Sequence, residues 1–246
     1  MDEDLRVHIA AVGYDFVRVT DPIIKSKADK VYFILHEFDR GQSKFLKHIK
    51  NELKNKLPSI KTKEHYLDIW DLYSCIQKYK EIISKEEGNH IFVNVATGTK
   101  ITAIAGMLSC MSWGASPYYV KFVHPSASTI KTIRREEVFD RDNLPVFEIN
   151  KPRSVHLSIL DLIEKSGNKI KKKYLIKALE GSIIPKKDEN GNPLSIHAKH
   201  SRLRPILNSM EREWGFVKIE ASGRRSNVSL TEQGKKALKI FGKHQT

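Results

Sequence analysis

The sequence predicts an α/β domain built on a doubly wound parallel sheet, followed by a smaller and strongly basic α+β domain. Three observations carry this reading. Strand-like apolar runs alternate with helix-spaced segments up to about residue 123, the pattern of a parallel sheet covered on both faces. The alternation stops in a proline-bearing connector, His124 to Arg153, and a different order of elements begins behind it. The charge changes at the same place. Residues 151–246 hold 21 Lys and Arg against 9 Asp and Glu, whereas residues 1–150 hold 22 against 20. Nearly all of the net +14 therefore lies in the last 96 residues. A basic field concentrated on one domain is the footprint of a polyanion, because neutralised phosphates release their counterions.

The elements follow in order. Leu5–Val12 reads as a buried strand, and Val19–Lys27 as a short helix with Pro22 confined to its first turn. Lys30–His36 is a second strand. Gln42–Leu57 carries Phe45, Leu46, Ile49, Leu53 and Leu57 at helical spacing and stops at Pro58. Ile60–Asp68 is a third strand, and Ile69–Lys85 a helix. His90–Val95 is a fourth strand, Thr99–Trp113 an apolar helix rich in small residues, and Pro117–Val123 a fifth strand. Within the connector, Thr129–Val138 is expected to add a strand or a short helix. This is a Rossmann-like sheet, whose ligands bind beyond the carboxyl ends of the strands where the winding reverses.

Behind the connector, Ser154–Ser166 is an amphipathic helix with Ser154 as its cap, and Lys169–Leu179 a second helix. Gly181–Leu194 is loop. Ile196–Trp214 holds a third helix in which Pro205 makes a kink or lies in the first turn. Phe216–Glu220 and Asn227–Leu230 form a hairpin around the tip Ala221–Ser226, and Thr231 caps a last helix. Three helices, a hairpin and a helix is the winged helix-turn-helix order. The third helix of that fold enters the major groove and the hairpin touches the backbone. Lys199, His200, Ser201, Arg202 and Arg204 stand at the front of that helix, Arg224 and Arg225 at the wing tip and Asn227 just behind it. These are residue types that reach base edges and phosphates. Double-stranded DNA is the expected partner, since no clustered aromatics offer stacking platforms for single strands.

The most specific string is Asn94-Val95-Ala96-Thr97-Gly98-Thr99-Lys100, which joins the fourth strand to the apolar helix. Gly98 lets the backbone approach a ligand closely. The amides of Thr99, Lys100 and Ile101, the Thr97 and Thr99 hydroxyls and the Lys100 ammonium make a cradle for an anion at a helix N-terminus. Neither G-x-x-x-x-G-K-[ST] nor G-x-G-x-x-G is present, so neither ATP hydrolysis nor a nicotinamide cofactor is indicated. A second loop, Gly13-Tyr14-Asp15-Phe16-Val17-Arg18, falls at the matching place after the first strand.

These strings, with the opening V-H-I-A-A-V-G-Y-D and the second strand K-A-D-K-V-Y-F-I-L-H, resemble the CRISPR-associated Rossmann fold (CARF) sensors. The chain is similar over its whole length to archaeal regulators that join a CARF domain to a winged helix-turn-helix. The resemblance implies a homodimeric transcription regulator that holds a cyclic oligoadenylate across its two-fold. The ligand would lie over Gly13, Tyr14, Asp15 and Arg18 and over Asn94, Thr97, Gly98, Thr99 and Lys100. It implies no other cofactor. The alternative is a metal-independent ring nuclease, with Thr97, Thr99 and Lys100 acting on the cyclic nucleotide. No catalytic residue is assigned.

The expected boundaries are 1–148 for the sensing and dimerisation domain and 152–246 for the DNA-binding domain. Seven residues separate Arg40 from His48, too many for the Arg–His pair of the related helical ribonucleases, and Glu52-Leu53-Lys54 lies in an amphipathic helix. Cys75 and Cys110 are read as buried free thiols. His8, His36, His90 and His124 fall on strands and strand ends without ligand spacing, so no metal site is expected. No apolar run approaches the ~18 residues of a membrane span, and the acidic start is unlike a signal peptide, so a cytoplasmic location is expected.

Overall fold

The computed structural model describes residues 4–13, 15–38, 41–121, 141–220 and 226–242. The chain divides into two compact units, Met1–Asn150 and Lys151–Thr246.

The first unit runs β1 (Arg6–Ala11), α1 (Val17–Lys25), β2 (Lys30–His36), α2 (Gln42–Lys56), β3 (Lys61–Leu67), α3 (Leu72–Lys85), β4 (His90–Asn94), α4 (Lys100–Trp113), β5 (Ser116–Val120) and β6 (Arg141–Asn143). The sheet order is β3-β2-β1-β4-β5-β6. The first five strands are parallel, and β6 pairs antiparallel with β5. Central strand β1 sets Val7 opposite Lys30 of β2 and Ile91 of β4. Both faces of the sheet are covered. Ala10, Val12, Val31, Phe33 and Leu35 pack with Val19 and Ile23 of α1 and Leu46, Ile49 and Leu53 of α2. Gly106 brings α4 against Val93, Val95 and Tyr79 on β4 and α3. Each such buried Leu or Ile contributes about 1.5–3 kcal/mol of transfer free energy.

Four details differ from the sequence reading. Helix α1 starts at Val17, and Pro22 lies in its interior. Proline has no N–H to give the carbonyl one turn back, that of Arg18. The Asn94 Nδ2 donates to that carbonyl instead, at 2.9 Å, so the missing bond is replaced from β4. Helix α3 starts at Leu72 because Asp71 caps it, accepting from the Tyr73 and Ser74 amides, and Ile69 and Trp70 lie in the loop ahead. Strand β5 ends at Val120. The antiparallel β6 has no counterpart among the predicted elements, and the element expected over Thr129–Val138 lies outside the described residues.

The histidine on β1 is structural: His8 is buried, with Nδ1 3.1 Å from the Tyr118 hydroxyl and Nε2 2.8 Å from that of Ser26. Cys75 and Cys110 are free and buried, and burial pushes both thiols up to about 12, which leaves them unreactive at neutral pH.

The second unit runs α5 (Ser154–Lys165), β7 (Lys169–Lys171), α6 (Lys172–Leu179), α7 (Ile196–Arg212), β8 (Val217–Ile219), β9 (Asn227–Leu230) and α8 (Glu232–Phe241). An antiparallel sheet, β7-β9-β8, closes one side. Ile159, Ile163, Leu175, Leu179, Leu203, Leu207, Met210, Val217 and Val228 form one core. Lys169–Lys171, read as the front of a helix, is a strand: its alternating K-I-K sets Ile170 opposite Val228. Ser154 is the first residue of α5 and not its cap; extended Arg153 holds the cap position without a side-chain bond. Ser195 caps α7, and Pro205 lies deep inside that helix, not in its first turn. Thr231 caps α8, accepting from the Gly234 amide.

One buried group makes this unit pH-sensitive. His156 is 1% exposed, lies edge-on to Trp214, and neither ring nitrogen has a hydrogen-bond partner among the described residues. Burial first, then the Arg153 charge, hold its pKa below the ordinary 6.5. As pH falls through 6.5 the unfolded chain takes up a proton that the folded unit refuses, so stability falls from there down to the folded pKa. The urea midpoint should therefore drop between pH 7 and pH 5, and His156→Phe should flatten that dependence. Parallel profiles for the two proteins would remove His156 as the cause.

Candidate functional site

The sheet order β3-β2-β1-β4-β5 means that the chain winds outward from β1 to β3 and then crosses back to β4. The winding reverses between β1 and β4. Loops leaving the carboxyl ends of those two strands mark the place where open α/β sheets bind ligands. They are the Gly13–Arg18 and Asn94–Lys100 loops. The two loops touch: a Cβ on Gly13 would lie 3.3 Å from the Gly98 amide nitrogen. Gly98 adopts φ +82°, and a Cβ there would lie 2.4 Å from the Ala11 Cβ and 2.6 Å from the Thr102 Oγ1. Glycine is needed for both reasons.

Most of the polar side chains named from sequence are committed to holding these loops. Asn94 is buried; its Nδ2 serves the Arg18 carbonyl and its Oδ1 accepts from the Ala96 amide. The Thr97 hydroxyl donates to the Ala11 carbonyl at 2.8 Å. Thr99 is the N-cap of α4, accepting from the Thr102 amide, while its hydroxyl donates to the Ile69 carbonyl at 3.2 Å. The Thr99 amide, expected to face a ligand, donates instead to the Thr102 Oγ1 at 2.9 Å. That leaves the first-turn amides of Lys100 and Ile101, which have no acceptor inside the helix. Lys100 itself is exposed, with no ion pair to the described residues.

Arg18 is held by the end of β5. Its Nη2 donates to the Val120 carbonyl at 2.9 Å, its guanidinium lies over the Tyr119 ring, and Asp15 is 4.0 Å away. Its Nε is buried without a hydrogen-bond partner. Arg18 thus ties the start of α1 to the end of β5. Tyr14 lies outside the described residues.

Sequence reasoning missed Trp70. It is 63% exposed and sits in the β3–α3 loop, fixed by a turn in which its amide donates to Asp68. The neighbouring Ile69 carbonyl holds Thr99, so this aromatic stands beside the α4 N-terminus. The topology carried the signal, since the β3–α3 loop must emerge at the same sheet edge.

In the second unit, the three-helix order with a β8–β9 hairpin and a final helix is complete. Residues 155–242 match the family described as "DUF6293 C-terminal winged helix domain", and residues 6–125 match that described as "HFX_2341_N-like, N-terminal". The first unit is thus similar to the HFX_2341_N-like family, and the second is a winged helix domain. An α/β domain ahead of a winged helix is the architecture implied by the resemblance to CARF regulators.

An uncharacterized protein of Methanocaldococcus jannaschii is 29% identical over 192 residues, 66% of this chain and 57% of that protein. The chain thus spans little more than half of that relative. An uncharacterized protein of Archaeoglobus fulgidus is 25% identical over 242 residues, 96% of this chain and 98% of that one. Similar solved structures include Enterococcus italicus Csm6 bound to cyclic hexa-2'-fluoro-hexa-dAMP (12% identity, 86% of this chain, 56% of that one, TM-score 0.43). Another is Can2 from Sulfobacillus thermosulfidooxidans in complex with cyclic tetra-adenylate (12% identity, 93% and 77%, TM-score 0.42).

The winged helix domain distributes its predicted contact residues unevenly. Lys199 is largely buried and paired with Glu180 at 2.8 Å, so its charge is already matched within the domain. Asn227 donates to Glu220 at 3.2 Å. Ser201, Arg202 and Arg204 are exposed on α7, and His200 is half-buried beside them. Arg224 and Arg225 lie outside the described residues. Among the described residues no group of His, Cys, Asp and Glu is arranged to hold a metal ion, and no helix is long and apolar enough to cross a membrane.

Proposed function

We propose that this protein is a nucleotide-responsive DNA-binding regulator, acting as a homodimer inside the cell. The observation that carries the sensing half is the contact between the Gly13 and Gly98 loops at the switch point of the sheet, with Lys100 exposed beside the first-turn amides of α4. A phosphodiester of a cyclic oligoadenylate suits that edge: amides and an ammonium neutralise it, and a two-fold ligand suits an isologous interface. The basic excess of the second unit supports the DNA half. Ligand binding would change the spacing of the two α7 helices, and DNA affinity would follow by linkage.

Sensing is favoured over cleavage. The Thr97 and Thr99 hydroxyls donate to main-chain carbonyls and do not stand ready to position an attacking group.

The test is retention of labelled cyclic tetra-adenylate on filters by wild type and Lys100→Ala, with the ligand recovered and checked for integrity. Binding that Lys100→Ala weakens by about tenfold, equivalent to about 1.4 kcal/mol, is the expected result, with intact ligand. Absence of binding to wild type would remove the sensing half, and steady loss of the cyclic ligand would favour the ring nuclease.

A further inference from the structure

The winged helix domain carries an open cleft of about 420 Å³ whose charged and polar walls are Lys172, His197, His200, Ser201, Arg204 and Ser226, with Ile219 as the apolar part. Three elements build it. Lys172 is the first residue of α6. His197, His200, Ser201 and Arg204 recur at three- and four-residue spacing and so share one face of α7. Ile219 ends β8, and Ser226 immediately precedes β9. The Lys172 amide donates to the Ser226 carbonyl at 2.9 Å, which fixes the start of α6 to the hairpin.

The charge in this cavity is one-sided. Neither Lys172 nor Arg204 has an ion-pair partner among the described residues. The carboxylates on or beside the same elements are occupied elsewhere: Glu180 by Lys199, Glu211 by the Ile219 amide, and Glu220 by Lys169 and Asn227. Burial, and then the positive charge of Arg204, lower the pKa of Lys172. Two uncompensated cations facing one cleft repel each other, and an anion between them would relieve both. A guanidinium fork, an ammonium, two imidazoles and two hydroxyls in one concavity match a tetrahedral oxyanion.

We infer that this cavity is a phosphate-binding site in which Lys172 and Arg204 are the charged ligands, taking a backbone phosphodiester of duplex DNA or free inorganic phosphate. In the first case it rests on the DNA-binding reading, and it adds α6 and the hairpin to the contacts expected of α7. It would clamp the duplex backbone beside the recognition helix.

The experiment uses the full chain, a mixed-sequence duplex and three variants: Lys172→Gln, Arg204→Gln and, as a control of equal charge, Lys177→Gln on the exposed side of α6. Circular dichroism checks that each folds. Each phosphate contact contributes about 0.9 to the slope of log Kobs against log salt concentration. Lys172→Gln and Arg204→Gln should each lower the slope by about that amount and weaken binding about tenfold at low salt, and Lys177→Gln should leave the slope close to wild type. The second arm follows the ring-proton NMR signals of His197 and His200 as inorganic phosphate replaces chloride at constant ionic strength. A saturating shift that Lys172→Gln abolishes assigns the cavity to free phosphate. Wild-type slopes in both cavity variants, together with no saturable shift, would overturn the inference while leaving DNA binding intact. A wild type that does not bind duplex would remove the DNA reading, and the phosphate titration alone would then decide the cavity.

Discussion

Gly98→Ala is expected to destabilise the α/β domain by about 2–5 kcal/mol. Two costs add. A side chain at φ +82° sits in the left-handed region, which costs about 1–2 kcal/mol outside glycine. The new Cβ would also lie 2.4 Å from the Ala11 Cβ and 2.6 Å from the Thr102 Oγ1. Such overpacking typically costs about 1–3 kcal/mol. Ala11 belongs to the central strand and cannot step aside, and Thr102 belongs to the capping box that starts α4. The natural control is Gly88, at φ +91° with nothing near its Cβ position, where alanine meets only the backbone cost. Urea unfolding of Gly98→Ala and Gly88→Ala beside wild type separates the two contributions. Equal midpoints for the two variants would mean that the contact with Ala11 is relieved at no cost.

The second large effect lies at the opposite edge of the sheet. Glu86 is 4% exposed and accepts from Lys30, Tyr32 and Asn89. Burial alone would raise its pKa, but the bonds from Lys30 and Tyr32 outweigh burial and hold it below the ordinary 4.5. Glu86→Ala would leave the Lys30 ammonium, 14% exposed, without its carboxylate, and Tyr32 without an acceptor. Removing one member of a buried pair costs about 3–5 kcal/mol, and the residual exposure of Lys30 places this case near 3. The pH signature follows from the sign of the shift. A carboxylate with a depressed folded pKa contributes stability above its unfolded value, and that contribution is lost as pH falls from about 4.5 through the folded pKa. Wild type and Glu86→Ala should therefore differ most at neutral pH and converge in acid. A gap that persists at low pH would assign the loss to packing instead of charge.

The elements read from sequence divide by what local chemistry can reveal. Lys30–His36 and Asn227–Leu230 are strands to the residue, because continuous or alternating β-formers between turn residues mark them unaided. Helix α1 is misread at Pro22, where the rule that proline belongs in the first turn is overridden by Asn94, a partner distant in sequence. Strand β6 is only Arg-Asp-Asn, with no apolar signal, and exists through its pairing with β5. The candidate site is legible in position and not in detail. The switch-point rule finds the loops after β1 and β4. Thr97, Thr99 and Asn94 are ligand-like residue types, however, and nothing local reveals that the Ala11, Ile69 and Arg18 carbonyls claim them. Trp70 escaped notice because the sequence shows only an aromatic near a helix start.

The two margins of the large sheet bear on how copies of this chain can meet. On one side β6 covers β5 with three residues, two of them charged, too short to template a further strand. On the other side β3 exposes Lys61 and Lys63, a lysine-guarded border of the kind that resists strand addition. Growth by continuing the sheet from molecule to molecule is thus discouraged at both ends. Among the described residues, pairing of two such domains is therefore left to the helices or to the loops at the carboxyl ends of the strands.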